Sequence, residues 1–212
     1  MSKENHNPIY SRRWHGLQRR IGITGGIASG KSSVGAFLQE TKGIPLLDAD
    51  IYAHEALAPN QITTMAVIKR YGQKVTDQIQ NKPPTLNRSL LGKIIFSNPK
   101  ERLWLEELIH PIVKKRLQQE LNAKKNLSRV ALIIPLLFEA DLTSLCSEIW
   151  VIKCNLNQQY KRLLKRDGLN TTKAKQRIEA QWPIEKKLRL ADVVIDNSGE
   201  LREWESQINS LC

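Results

Sequence analysis

Residues 23–34, ITGGIASGKSSV, leave this chain few folds to choose from. Gly25, four residues, then Gly30-Lys31-Ser32 is the spacing of a phosphate-binding loop. Such a loop must wrap its backbone around an anion, so glycine is needed where a side chain would clash or φ is positive. Its amides then point inward, and the positive end of the following helix adds to them. The letters carry this meaning only between a strand and a helix, and both are present. Arg20–Thr24, "RIGIT", reads as a short buried strand. Lys31–Thr41 reads as a helix, with Val34, Phe37, Leu38 and Thr41 on one face. Lys31 is placed to reach β- and γ-phosphates, and the Ser32 hydroxyl to ligate Mg²⁺.

Further short apolar runs follow at 44–47, 129–134, 148–153 and 192–195, separated by helical stretches. That alternation predicts an α/β fold: a parallel sheet with helices on both faces. Residues 60–126 interrupt it, contain no convincing strand pair, and read as a helical insertion. Within it, Asn98, Pro99 and Glu101 spell a helix start with a capping box, and Pro111 should kink or restart the helix after His110.

Ligands of open parallel sheets bind beyond the carboxyl ends of the strands. Asp48 and Asp50 lie just past the second strand, where a carboxylate can accept a proton from an attacking hydroxyl or hold Mg²⁺ through water. Asp50 has the stronger claim to chemistry, although it also suits the N-cap of a helix over 51–57. An acid closing the third strand is missing: "ALIIPLLFEA" turns at Pro135 and reaches an acid only at Glu139.

The net charge of +12 is unevenly spread. Residues 153–189 hold eleven Lys/Arg against three Asp/Glu, which points to a polyanionic partner. Asn155 or Asn157 can cap the first helix of this stretch. Arg162 and Arg166 share one helical face, as do Arg177 and Gln181 on the next helix, and Pro183 opens a third. Residues 1–19 are basic and read as a loose tail, with Tyr10 and Trp14 the side chains able to dock. The three cysteines show no metal-ligand spacing and suit a reduced, cytoplasmic setting. No apolar run approaches a membrane span.

Three other functions fit poorly. "DNSG" (196–199) has the letters of a GTPase motif, but no guanine-reading motif follows, and "NKPP" (81–84) ends in Pro84 where an Asp is required. A nucleic-acid binder would carry more than 6% aromatics and a recognisable module. A nucleoside monophosphate kinase is the nearest rival, and the contexts of "DAD" (48–50) and "HP" (110–111) argue against it.

Taken in order, "GITGGIASGKSSV", "LLDADIYAHEAL", "LNRSLLGKIIFSNP", "LIHPIV", "IPLLFEA", "RLLKRDGL" and "RIEAQWPIEKKLRLADVVIDNSG" resemble the dephospho-CoA kinases, across roughly residues 21–205. The resemblance implies a P-loop kinase fold: a five-stranded parallel sheet, a helical substrate lobe and a helical lid at about 157–190. It implies transfer of the γ-phosphate of ATP, with Mg²⁺, to the ribose 3′-hydroxyl of dephospho-CoA. Carried over by position, Asp50 matches the catalytic aspartate, and Gly25, Gly26, Ala28, Ser29, Gly30, Lys31, Ser32 and Ser33 match the ATP loop. Arg166 matches a lid arginine near the phosphates, beside Arg162, Arg177 and Gln181, and Asn197 falls where such kinases place adenine. Asp48, His110, Pro135, Leu136 and Glu139 match the surface facing dephospho-CoA. A cytoplasmic monomer, with no nucleic acid or membrane as partner, is expected. This chain has Ala28 where the family usually has Gly, and a Cβ there is expected to require negative φ. It also has Ser33 where Thr is common.

Overall fold

The computed structural model describes residues 13–77, 85–200 and 202–212. Tyr10, the rest of 1–12, and the "NKPP" stretch lie outside the described residues. The chain divides into two compact units. One holds the residues up to Ala49 together with Gln118–Cys212, and the other is Asp50–Leu117.

The first unit is built on a five-stranded parallel sheet. Its strands are β1 (Arg19–Gly25), β2 (Leu46–Asp48), β5 (Arg129–Ile133), β6 (Glu148–Lys153) and β7 (Val193–Asp196), in the order β2-β5-β1-β6-β7. β1 lies at the centre, with Ile23 opposite Ile133 on one side and Trp150 on the other. Being covered on both faces, the strands are continuously apolar rather than alternating. Ile21, Ile23, Ala131, Ile133, Trp150, Ile152 and Ile195 form one core with Val34 and Leu38 of α1 (Lys31–Glu40) and Trp204 and Ile208 of α9 (Trp204–Asn209). Side chains of this size contribute about 1.5–3 kcal/mol each when fully buried.

Within residues 13–18, which the sequence assigns to a loose tail, Arg13, Trp14 and Gln18 are docked, while His15, Gly16 and Leu17 are exposed. Trp14 N donates to Cys146 O at 3.0 Å, and the Arg20 guanidinium lies 3.5 Å over the Trp14 ring. Arg13 pairs with Asp192, whose carboxylate also accepts from Ile149 N. Trp14 offers an aromatic face to an otherwise buried cation, an attraction the composition of the segment does not reveal.

After β6 come α6 (Leu156–Asp167), α7 (Thr171–Glu179) and α8 (Ile184–Leu188); the Asn155 and Asn170 side chains cap the first two, and Pro183 precedes the third without a side-chain cap. Asn155 Oδ1 accepts from Gln158 N at 2.9 Å, as an N-cap should. α7 ends at Glu179, so Gln181 is not on the helix with Arg177 as its spacing suggests.

The second unit holds most of α2 (Ala49–Ala56), then α3 (Ile62–Tyr71), the paired β3 (Thr76–Asp77) and β4 (Thr85–Leu86), α4 (Arg88–Ser97), and most of α5 (Pro99–Ala123). The β3–β4 pair corrects the expectation of an insertion without paired strands; two residues per strand are too few to show a period. α5 runs through Pro111 without ending at His110. The helix tolerates the missing N–H because Leu105, Ile109 and Val113 form a continuous buried stripe across it. The capping box does not form. Asn98 Oδ1 accepts from Lys100 N, but Glu101 bonds Arg70 at 2.8 Å and the Tyr71 hydroxyl at 2.6 Å, tying α3 to α5. That shared carboxylate holds Glu101 below the usual range, first through its hydrogen bond to Arg70. Burial, with Glu101 next, pushes the Tyr71 phenol up to about 12. No described helix is long and apolar enough to cross a membrane.

Candidate active site

The loop from Gly25 to Gly30 joins the end of β1 to α1, as the spacing predicts. Gly25 has φ +142°, and a Cβ there would meet Ile152 O at 2.1 Å, so backbone on the neighbouring strand forbids any side chain. Gly30 caps α1 at φ +104°. Ala28 departs from expectation: its φ is +56°, not negative. A left-handed residue is what turns the backbone at this point, and alanine accepts that turn at a cost of about 1–2 kcal/mol.

Side chains from α6 and the end of β7 fasten the loop from outside. Gln159 Nε2 donates to Ile27 O at 3.0 Å, Asn197 Nδ2 to Ser29 O at 2.8 Å, and Arg162 Nη1 to Ala28 O at 3.2 Å. Arg162 Nη2 reaches Asn197 O at 3.3 Å. The carbonyls of Ile27, Ala28 and Ser29 are thus satisfied by side chains, while Ser29 N donates to Gly26 O at 3.2 Å within the loop. Lys31 is buried, and its Nζ donates to Gly26 O at 2.8 Å, folded along the loop it serves. Ser29 is fully buried, and its hydroxyl has no hydrogen-bond partner among the described residues. Ser32 and Ser33 are exposed in the first turn of α1.

Gln159, Gln158 and Cys154 escaped sequence reading. Gln158 Nε2 donates to Ser198 O at 2.9 Å, holding the turn after β7. Cys154 packs beside the loop at half burial; burial pushes its thiol up, while Arg162 and Lys31 pull it down. Two adjacent glutamines on a basic helix look solvated, and only their positions at the start of α6, next to a glycine-rich loop, hinted otherwise.

The three arginines that the sequence assigns to a lid do not form one group. Arg162 borders the loop, whereas Arg166 and Arg177 share Asp167, at 2.7 and 2.6 Å. Those pairings hold Asp167 below the usual carboxylate range, the hydrogen bond from Arg166 first. At the end of β2, Asp48 is half-buried. Asp50 is exposed inside the first turn of α2, which begins at Ala49, so Asp50 is not the N-cap. His110 is half-buried within α5, beside Pro111. Pro135, Leu136 and Glu139 lie on the turn after β5; Pro135 and Leu136 are half-buried. Glu139 Oε1 accepts from Trp182 N at 3.0 Å and pairs with Lys187 at 2.7 Å, while its Oε2 is buried with no hydrogen-bond partner among the described residues. Gln181 Oε1 is likewise buried and unpartnered.

A central strand running into a glycine loop, a buried lysine and a helix N-terminus, all in a five-stranded parallel sheet, defines a P-loop kinase fold. Solved structures agree: a shikimate kinase from Bacteroides thetaiotaomicron shares this fold at TM-score 0.51 and 14% identity, covering 91% of this chain and 95% of its own. The chain belongs to the dephospho-CoA kinase family, whose model it matches over residues 19–203. It is 56% identical to the dephospho-CoA kinase of Prochlorococcus marinus (strain MIT 9313), over 94% of this chain and 98% of that protein. It is 47% identical to the Synechocystis enzyme of the same name, over 90% and 93%. A Thermus thermophilus protein of known structure superposes at TM-score 0.74 with 31% identity, covering 92% of this chain and 97% of its own.

Proposed function

We propose that this protein transfers the γ-phosphate of ATP to the ribose 3′-hydroxyl of dephospho-CoA, releasing coenzyme A and ADP. The observation that carries the reading is the loop itself: positive φ at Gly25, Ala28 and Gly30, with Lys31 buried against it, in a chain of this family.

Phosphoryl transfer is mainly positioning and charge neutralisation. The loop amides of Gly25, Gly26, Ala28, Ser29 and Gly30 would cradle the β-phosphate, and Lys31 would exchange its carbonyl partner for phosphate oxygens. Ser33 follows on α1 as part of the same ATP loop. Asn197, at the turn held to Ser29, would border the adenine. Arg162 already faces the loop and is the stronger of the lid arginines for the triphosphate. Arg166 would exchange Asp167 for the γ-phosphate as transfer begins, with Arg177 the next cation on that carboxylate. Asp50 would accept the proton of the attacking 3′-hydroxyl.

The donors fit magnesium. The Ser32 hydroxyl and the Asp48 carboxylate are hard oxygen ligands of the kind Mg²⁺ takes. Among the described residues no three His, Cys, Asp or Glu side chains gather as metal ligands, so phosphate oxygens would complete its shell. Bound there, Mg²⁺ would neutralise charge on the β- and γ-phosphates. On the acceptor side, His110, Pro135, Leu136 and Glu139 would meet dephospho-CoA. Glu139 Oε2 and Gln181 Oε1, buried and without a hydrogen-bond partner among the described residues, would each accept from a donor such as a hydroxyl or an amide. The reaction is assigned to the cytoplasm and to a monomer, with ATP and dephospho-CoA as the partners.

The test is an acceptor panel. With Mg·ATP, ADP release should rise on adding dephospho-CoA, and not with nucleoside monophosphates or shikimate. A response to another acceptor and none to dephospho-CoA would overturn the assignment.

A further inference from the structure

The turn after β5 makes contacts that neither the phosphate loop nor the lid arginines explain. The carbonyl oxygen of Pro135 accepts two hydrogen bonds. One comes from Thr24 Oγ1 at 3.0 Å, the residue of β1 immediately before Gly25. The other comes from Lys187 Nζ at 3.0 Å, on α8. The same ammonium pairs with Glu139 Oε1 at 2.7 Å, and its side chain is 0% exposed. Trp182 N donates to that carboxylate, and the Trp182 ring stacks on Phe138 with planes 5° apart. Lys186 Nζ lies 3.1 Å over the Trp182 ring.

Stability alone does not account for a fully buried lysine here. Burying two charges costs about as much as their attraction returns, and an apolar pair of similar volume often serves as well. What an ammonium adds is direction: it fixes one backbone carbonyl and one carboxylate at once. Burial lowers the Lys187 pKa and Glu139 opposes that. One ammonium joins the Glu139 carboxylate to the Pro135 carbonyl, and Thr24 shares that carbonyl.

We propose that Lys187 is a positioning residue for phosphoryl transfer. It ties the 134–140 turn to the 181–188 segment that follows α7, while Thr24 ties the same Pro135 carbonyl to the strand that feeds the phosphate loop. ATP binding does not need this lock, because Gln159, Arg162 and Asn197 fasten the loop independently. Alignment of the acceptor with the γ-phosphate does need it. Without the lock, water would take the γ-phosphoryl group instead of the 3′-hydroxyl, giving ADP and inorganic phosphate.

The proposal rests on the kinase reading above, and wild-type protein separates the two. If wild type transfers no phosphate to dephospho-CoA, the kinase reading fails; if it does, the variants judge Lys187. Lys187→Met alone would strand the Glu139 carboxylate and Glu139→Gln alone the buried Lys187 ammonium, so the informative comparison is Lys187→Met/Glu139→Gln against wild type, with Thr24→Val as the variant that leaves Glu139 in place. The double variant should keep its melting midpoint and its KM for ATP within about two-fold, while kcat for transfer falls about tenfold or more. The share of ADP released without coenzyme A formation should rise several-fold. Thr24→Val, which removes the other donor to Pro135 O without stranding a charge, should move the same ratio in the same direction and decides the matter if the double variant does not fold. Transfer by the double variant within about two-fold of wild type, or a loss of kcat that merely tracks a loss of thermal stability, would overturn the proposal, as would an unchanged ratio in Thr24→Val.

Discussion

Replacing Ala28 with glycine should stabilise this protein, although it removes a side chain. At φ +56° the Ala28 Cβ crowds its own backbone, at a cost of about 1–2 kcal/mol that glycine does not incur. Against that gain, glycine makes the unfolded chain freer by about 0.4–1 kcal/mol. The balance favours Ala28→Gly by about 0.5–1 kcal/mol, or about 1–4 °C in melting midpoint for a chain of this size. Ala28→Val works in the opposite direction, since a β-branched residue at this φ is a genuine outlier, and should cost more than about 1 kcal/mol. The Ala28 carbonyl accepts from Arg162, so the left-handed turn also decides where that guanidinium sits. Calorimetric melts of the three proteins, each with and without Mg·ATP, give the order Gly, Ala, Val from most to least stable. A glycine variant less stable than wild type, or a valine variant equal to it, would show that residue 28 does not hold a left-handed turn.

Three further outcomes are expected. Asp50→Asn should lower kcat by about 10²–10⁴ while KM for ATP stays within a few-fold, as steady-state kinetics would show; equal loss of ATP binding would make Asp50 a metal or structural residue. Arg162→Ala removes one hydrogen bond to the loop carbonyl of Ala28, another to the carbonyl of Asn197, and the cation proposed to neutralise the triphosphate, so KM for ATP should rise about tenfold; unchanged nucleotide affinity by titration calorimetry would remove that role. Asp167 is held below its unfolded pKa by Arg166 and Arg177, so the stability it contributes is complete above about pH 4 and lost as pH falls through its folded value. Denaturation of Asp167→Asn should therefore show a shallower loss of stability with acid than wild type; identical pH profiles would mean the pairing contributes nothing.

The phosphate loop and the sheet were legible because each rests on a local pattern. One apolar strand ends in Gly25, and the helix that follows has one apolar face, so β1, the loop and α1 could be read from residues 20–41 alone. The same holds for Asn155, whose capping needs only its neighbours. Ala28 was misread because φ is set by how the loop must turn between Gly25 and Gly30, and no residue letter records that. Glu101 was misread for a different reason: its spacing from Asn98 suits a cap, but Arg70 and Tyr71, about thirty residues earlier, compete for the same carboxylate and win with three hydrogen bonds. Lys187 and Glu139 were unreadable as a pair, since they lie 48 positions apart and each alone looks like a surface charge. Arg162 and Arg166 share a helix and a charge, yet one faces the loop and the other an aspartate next to it in sequence. Spacing told which residues could act together, and tertiary packing told which do.

The identity of the phosphorylated product bears most directly on the assignment. Wild-type protein incubated with Mg·ATP and dephospho-CoA should yield one ADP per coenzyme A, with phosphorus NMR showing a new monoester on the ribose 3′-oxygen. A phosphate on the 2′-oxygen, or ADP and inorganic phosphate with dephospho-CoA unchanged, would contradict it.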